Sequence, residues 1–212
     1  MGGSRAAGKW LSRQVRSAVA AALFLASCSA DVPVLPRLGP DDAILAFGDS
    51  LTYGTGAGAE ESYPRVLSVL IGKPVIASGV PGETTAGGLD RIDEVLEEHQ
   101  PKLLLLCLGG NDMLRKVSAS TIEANLRSMV EIARARGVEV VLVAVPEPVL
   151  FGGNANFYRA IADDFSLPLE NEALNDILRD NSLKSDQIHP NAEGYRRLAH
   201  ALAELLREAG AI

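Results

Sequence analysis

The sequence predicts an α/β fold, a three-layer α/β/α sandwich around a five-stranded parallel sheet, and three observations carry that prediction. Short apolar runs recur along the chain without in-and-out alternation, the pattern of strands covered on both faces. Between them lie segments whose apolar residues repeat at helical period. Regular alternation of the two requires right-handed crossovers, which lay helices against both sides of a parallel sheet. At 212 residues, 47% of them apolar, the chain suffices for one domain with a sizeable core.

The folded body is expected to begin near Asp41 and to span residues 41–212. Residues 43–47 read as the first strand, and 62–71 as a helix with Pro64 in its first turn. Residues 74–78 form the second strand, and 85–98 a helix with Leu89, Ile92, Val95 and Leu96 on one side. The third strand is 103–108. After it, Ser120 and Glu123 form a capping box for a helix that shows Ile122, Leu126, Met129, Val130 and Ala133 on one face and stops at Gly137. Residues 138–145 make the fourth strand, 156–165 a helix, 167–169 a short fifth strand and 172–179 a small helix. Asn191 caps the closing helix, whose buried face is Tyr195, Leu198, Ala199, Leu202, Leu205 and Leu206.

Residues 1–27 read as an export signal, with Arg5, Lys9, Arg13 and Arg16 as a basic start and 18–26 as an apolar run too short to span a bilayer. The segment Leu25-Ala26-Ser27-Cys28 resembles the lipobox of bacterial lipoprotein precursors. That resemblance implies cleavage before Cys28 and lipidation of its thiol. Ser29, in place of an aspartate, further implies anchoring to the outer membrane on the periplasmic side of the envelope. Residues 28–40, Pro-rich and aperiodic, are then a lipid-anchored tether.

Residues 1–27 carry four positive charges and no negative ones, so their removal takes the formal charge from −7 to −11. An acidic body without Lys/Arg clusters does not suit nucleic acid. His99, His189 and His200 are far apart and show no metal-ligand spacing, so no metal or other cofactor is expected. With Cys28 lipidated, Cys107 has no partner and reads as a buried packing thiol. Nothing suggests a dimerisation element, and a monomer is expected.

Parallel sheets bind ligands beyond the carboxyl ends of their strands, so the loops that follow strands are the places to look for chemistry. Gly48-Asp49-Ser50-Leu51-Thr52 follows the first strand. A serine at such a turn exposes its hydroxyl and turns its N–H into the cleft, although Asp and Ser after a strand are more often helix caps. Residues 79–85 follow the second strand, and either Gly79 or Gly82 could bring a free N–H to a ligand. Gly109-Gly110-Asn111-Asp112 follows the third, where the Asn111 amide could donate to developing negative charge. Ser50 still lacks a base, without which its hydroxyl is nearly inert. Asp186 and His189 supply one: a carboxylate three residues before a histidine reaches Nδ1 and leaves Nε2 for the serine.

Together these four segments resemble the family known as GDSL esterases or SGNH hydrolases, and specifically its bacterial thioesterase I, arylesterase and lysophospholipase branch. Gly-Asp-Ser-Leu at 48–51, Gly82, Gly-Gly-Asn-Asp at 109–112 and Asp-x-x-His-Pro at 186–190 match its blocks in order, over roughly residues 43–206. The resemblance implies a flavodoxin-like sheet. It also implies Ser50 as nucleophile, His189 as general base and acid, and Asp186 as the orienting carboxylate. The oxyanion hole is then the Ser50 N–H, the Gly82 N–H and the Asn111 side chain, which chooses Gly82 over Gly79. Asp49 and Asp112 are expected to be structural.

Two departures stand out. Ile76-Ala77-Ser78 replaces the Asn-Ala that many relatives carry before the second block, and the stretch 146–156 is short for this branch. The expected reaction is hydrolysis of short acyl esters, arylesters, thioesters or lysophospholipids through an acyl-enzyme on Ser50. Val149, Leu150, Phe151, Phe157 and Tyr158 could line the acyl site or pack in the core. O-deacetylation of carbohydrate or cell-envelope polymers is one alternative, and a non-catalytic ligand-binding lipoprotein another.

Overall fold

The computed structural model describes residues 1–3, 32–147 and 155–212. Most of the expected export signal, together with Cys28, Ser29, Val149, Leu150 and Phe151, lies outside the described residues. The packed body runs from Val32 to Ile212.

Strands β1 (Ile44–Gly48), β2 (Val75–Gly79), β3 (Leu103–Cys107), β4 (Glu139–Val143) and β5 (Leu169–Glu170) form one parallel sheet in the order β2-β1-β3-β4-β5. This is the flavodoxin-like order. The chain steps outward from β1 to β2, then reverses past β1 to β3, and the reversal opens a crevice at the carboxyl ends of β1 and β3. In register, Gly48 sits between Gly79 and Cys107, so three strands deliver their loops to that crevice at one level.

Helices α2 (Tyr63–Ile71), α3 (Thr85–His99), α5 (Ala119–Ala135) and α6 (Asn156–Phe165) make the crossovers. The first crossover runs one way along the sheet and the later ones the other, so right-handed connections put α2 on one face and α3, α5 and α6 on the opposite one. The short helix α7 (Ala173–Arg179) precedes the closing helix α8 (Ala192–Glu208), which packs beside α2, while α3 packs beside α5. Strands β1 and β3 are buried throughout, as continuous apolar runs require, whereas β2 lies at the edge and is partly exposed.

Helix α5 buries the expected face of Ile122, Leu126, Met129, Val130 and Ala133, but its cap differs. Ser118, not Ser120, adopts the extended backbone of a cap and accepts the Thr121 N–H at 3.2 Å. Glu123 is then free of a capping box and pairs with Arg127 one turn on.

The expected tether is also corrected from Val32 onward. Leu35 and Leu38 are buried, and their N–H groups donate to the carbonyls of Ala209 and Ala211 at 2.8 and 2.9 Å. Their side chains cover the start of β3 and the end of the chain, which is why an aperiodic Pro-rich stretch docks here instead of dangling. This docking lies at the amino ends of the strands, away from the crevice.

Candidate active site

The turn after β1 is organised by Asp49. Its Oδ1 accepts the Leu51 N–H at 3.0 Å, which makes Asp49 the cap of the one-turn helix α1 (Ser50–Tyr53). Ser50 is therefore the first helical residue, and its hydroxyl is released from capping. The other Asp49 oxygen accepts the Asn111 amide at 3.0 Å. Burial pushes the Asp49 carboxyl up from 3.8 to about 6, against the lowering pull of the Leu51 N–H, the nearby His189 and the Asn111 amide.

The second carboxylate sits in a loop closed on itself. An antiparallel bridge joins Lys184 to Pro190, and the Ser185 N–H donates to the His189 carbonyl at 3.0 Å. Inside this loop Asp186 Oδ1 accepts the N–H groups of Ile188 and His189 at 2.8 and 2.9 Å, while Oδ2 lies 2.7 Å from His189 Nδ1. A carboxylate only accepts, so Nδ1 carries the proton and Nε2 is left as acceptor. Nε2 lies 2.9 Å from Ser50 Oγ. Partial desolvation raises the Asp186 carboxyl, but the His189 ring and the two backbone donors outweigh it and hold the group below its usual range. Asp186 remains 52% exposed and His189 14%.

On the other side of Ser50 the loops after β2 and β3 meet. Val80 to Glu83 form a turn closed by the Glu83 N–H on the Val80 carbonyl at 3.1 Å. Pro81 holds its second position and Gly82 its third, at φ 81°, the left-handed conformation that a type II turn requires. Asn111, in the short helix α4 (Gly110–Leu114), donates its Nδ2 to Glu83 O at 2.9 Å as well as to Asp49. Both amide protons of Asn111 thus have protein acceptors, and an oxyanion would share one of them. Asp112 turns the opposite way and takes the Thr85 N–H and hydroxyl at 2.8 and 2.7 Å, which ties the third loop to the start of α3.

Ser50, Asn111 and His189 line one cleft of about 570 Å³. Leu114, Val145, Leu178 and Ile188 supply its apolar wall, and Lys184 and Gln187 border it. Gly82 is not among the lining residues, although the turn that holds it is tied to the site by the Glu83–Asn111 bond. Phe157 and Tyr158, candidates for the acyl wall, are instead core residues, with the Tyr158 hydroxyl on the Leu108 carbonyl at 2.8 Å. Cys107 is fully buried behind the site, and burial pushes its thiol well up, away from reactivity.

One participant, Arg91, carries no signal in the sequence. It forks onto Glu83, with Nε to Oε1 at 2.7 Å and an Nη to Oε2 at 2.6 Å, and also reaches Ser78 and Gly48. Where Ile76-Ala77-Ser78 departs from the Asn-Ala of many relatives, Arg91 donates to the Ser78 hydroxyl at 2.7 Å. A spacing of eight residues across a loop-to-helix junction has no periodicity that would mark the Arg91–Glu83 pair.

The model of the GDSL-like Lipase/Acylhydrolase family matches residues 46–197. The chain is 29% identical over 179 residues to the thioesterase 1/protease 1/lysophospholipase L1 of Escherichia coli K12, covering 81% of this chain and 86% of that protein. It is 29% identical over 190 residues to the esterase TesA of Pseudomonas aeruginosa, covering 84% and 93%. Among solved structures, the psychrotrophic esterase EstA from Pseudoalteromonas, inhibited by monoethylphosphonate, superposes with a TM-score of 0.72 at 26% identity, covering 79% of this chain and 97% of that one.

Proposed function

The chain belongs to the GDSL-like Lipase/Acylhydrolase family and is an ester hydrolase, and we propose that Ser50 is its nucleophile, His189 its general base and acid, and Asp186 the carboxylate that orients the histidine. Ser50 Oγ attacks the ester carbonyl carbon as its proton passes to His189 Nε2. The tetrahedral oxyanion is met by the N–H groups of Ser50 and Gly82 and by the Asn111 amide. His189 then hands its proton to the departing alcohol, leaving an acyl-enzyme on Ser50. Water, deprotonated by the same Nε2, attacks that ester and releases the acid. The observation that carries this reading is the unbroken relay from Asp186 through His189 to Ser50, at 2.7 and 2.9 Å.

The substrate is an ester with a short to medium acyl or aryl group. In support, the apolar wall of Leu114, Val145, Leu178 and Ile188 stands beside Ser50 in an open cleft, and thioester and lysophospholipid cleavage are named for the Escherichia coli relative. A chain-length series of p-nitrophenyl esters, run beside an acyl thioester and a lysophospholipid, tests this. The reading expects a maximum at short or medium chains. Activity confined to acetyl groups, with acetate released from acetylated glycans, would replace it with O-deacetylation.

The protein is exported, lipidated at Cys28 and displayed on the periplasmic side of the outer membrane as a monomer. Supporting the arrangement, Val32 to Leu38 attach at the amino ends of the strands, so a short link to an anchor leaves the cleft open to the compartment. Mass measurement of the mature amino terminus, with Cys28→Ala as control, decides whether a lipid is attached.

A further inference from the structure

Arg91 lies outside the cleft, yet three of the segments that build the site converge on it. From the second turn of α3 it donates to the Gly48 carbonyl at 3.3 Å, one peptide before Asp49 and Ser50. It donates to the Ser78 hydroxyl and carbonyl at 2.7 and 3.1 Å, at the end of β2. Its fork onto the Glu83 carboxylate holds the residue that follows Gly82, and the carbonyl of that same Glu83 receives the Asn111 amide. The guanidinium lies 3.9 Å above the Phe47 ring, and the pair is mostly withdrawn from solvent, 21% exposed for Arg91 and 7% for Glu83. A planar fork that satisfies a carboxylate, a hydroxyl and two carbonyls cannot be reproduced by a lysine.

Helix α3 can bring Arg91 so close because Gly88, one turn earlier, faces the sheet. A Cβ there would meet the Leu108 side chain at 2.5 Å and the Phe47 ring at 3.3 Å. A buried ion pair of this kind adds little to stability alone, since the desolvation of both charges offsets much of their attraction. Its geometry is better suited to fixing position.

We infer that Arg91, acting through Glu83, is the positioning residue of the oxyanion site: it fixes the Gly82 turn and the Asn111 amide relative to Ser50. The inference rests on the reading of Gly82 and Asn111 as oxyanion donors. Misplacing such donors by a fraction of an ångström weakens binding of the tetrahedral state while leaving ester binding in the cleft unchanged.

The test is a double-mutant cycle on a p-nitrophenyl ester, with Arg91→Lys, Arg91→Ala, Glu83→Gln, Asn111→Ala and the Arg91→Ala/Asn111→Ala pair. Alongside turnover, the affinity of an alkyl boronic acid, which forms a tetrahedral adduct with the serine, is measured for each folded variant. The inference expects Arg91→Lys and Glu83→Gln to lose kcat by roughly ten- to a hundred-fold with KM within about threefold, and boronate affinity to fall in parallel. It expects the pair to be little worse than Asn111→Ala alone, because Arg91 works through the same donors. Full multiplicativity in the cycle, or a kcat loss with boronate affinity unchanged, overturns it. If Arg91→Ala does not fold, the cycle is run with Arg91→Lys under the same criteria. A near-normal Asn111→Ala enzyme would instead overturn the oxyanion reading itself, and Arg91 variants that keep wild-type turnover and boronate binding beside a crippled Asn111→Ala overturn the positioning role alone.

Discussion

The two sides of Ser50 are built in opposite ways. The base side is local and exposed: Asp186 satisfies two N–H groups and a ring nitrogen, all within three residues of itself, and stays half open to water. The nucleophile side is buried and assembled over long distances, with Asp49 joined to Asn111, Asn111 to Glu83, and Arg91 to Gly48. The two aspartates carry the contrast into electrostatics. Burial pushes Asp49 up, and hydrogen bonds hold Asp186 down. One carboxylate is set by what surrounds it, the other by what it touches.

The largest break in this arrangement is Ser50→Ala or His189→Ala, each expected to lower turnover by roughly a million-fold, with little further loss when the two are combined, since neither acts without the other. Single-turnover assays of the two variants and the pair check this. Asp186→Asn should cost less, about 10³- to 10⁴-fold, because the ring keeps its place in the loop but is no longer steered to the right tautomer. That loss should persist at high pH. Recovery there would show Asp186 acting only through charge. Asn111→Ala is expected to lose about a hundred- to a thousand-fold in turnover with its thermal unfolding close to wild type.

The smallest expected effect is on stability, and it separates the two carboxylates by sign. Asp49 titrates near 6 in the folded protein against 3.8 when exposed, so the stability tied to its protonated form is fully present below about 3.8 and is lost as pH rises through about 6. A rise of that size corresponds to roughly 3 kcal/mol. Asp186 does the reverse: its contribution is present above the ordinary carboxylate range and is lost as pH falls through its depressed value. Urea unfolding between about pH 2 and 8 should therefore show Asp49→Asn flattening the decline between about pH 4 and 6. Asp186→Asn should flatten only the acid limb.

The same contrast decides what can be read in the sequence. Asp186 and His189 lie three apart, and Gly-Asp-Ser-Leu is contiguous, so short-range pattern recovers both. The buried faces of α5 and α8 follow from helical period alone. Arg91 cannot be found that way, because its partners lie 8, 13 and 43 residues distant and no period links them. Ser120 outranks Ser118 in the sequence because the Ser120–Glu123 spacing mimics a capping box, while backbone angles, invisible in sequence, favour the earlier residue. Leu35 and Leu38 read as part of a tether because two leucines among prolines have no periodicity; their burial depends on the carboxyl terminus arriving beside them. Phe157 and Tyr158 suit the cleft or the core equally, and only the placement of α6 chooses the core.

The central claim, that Ser50 is activated by His189, is tested most directly by reacting the folded protein with a fluorophosphonate and locating the adduct by mass spectrometry. The account predicts one adduct, on Ser50, with labelling slowed at least about a thousand-fold in His189→Ala. An adduct on another residue, or undiminished labelling of Ser50 without His189, would contradict it.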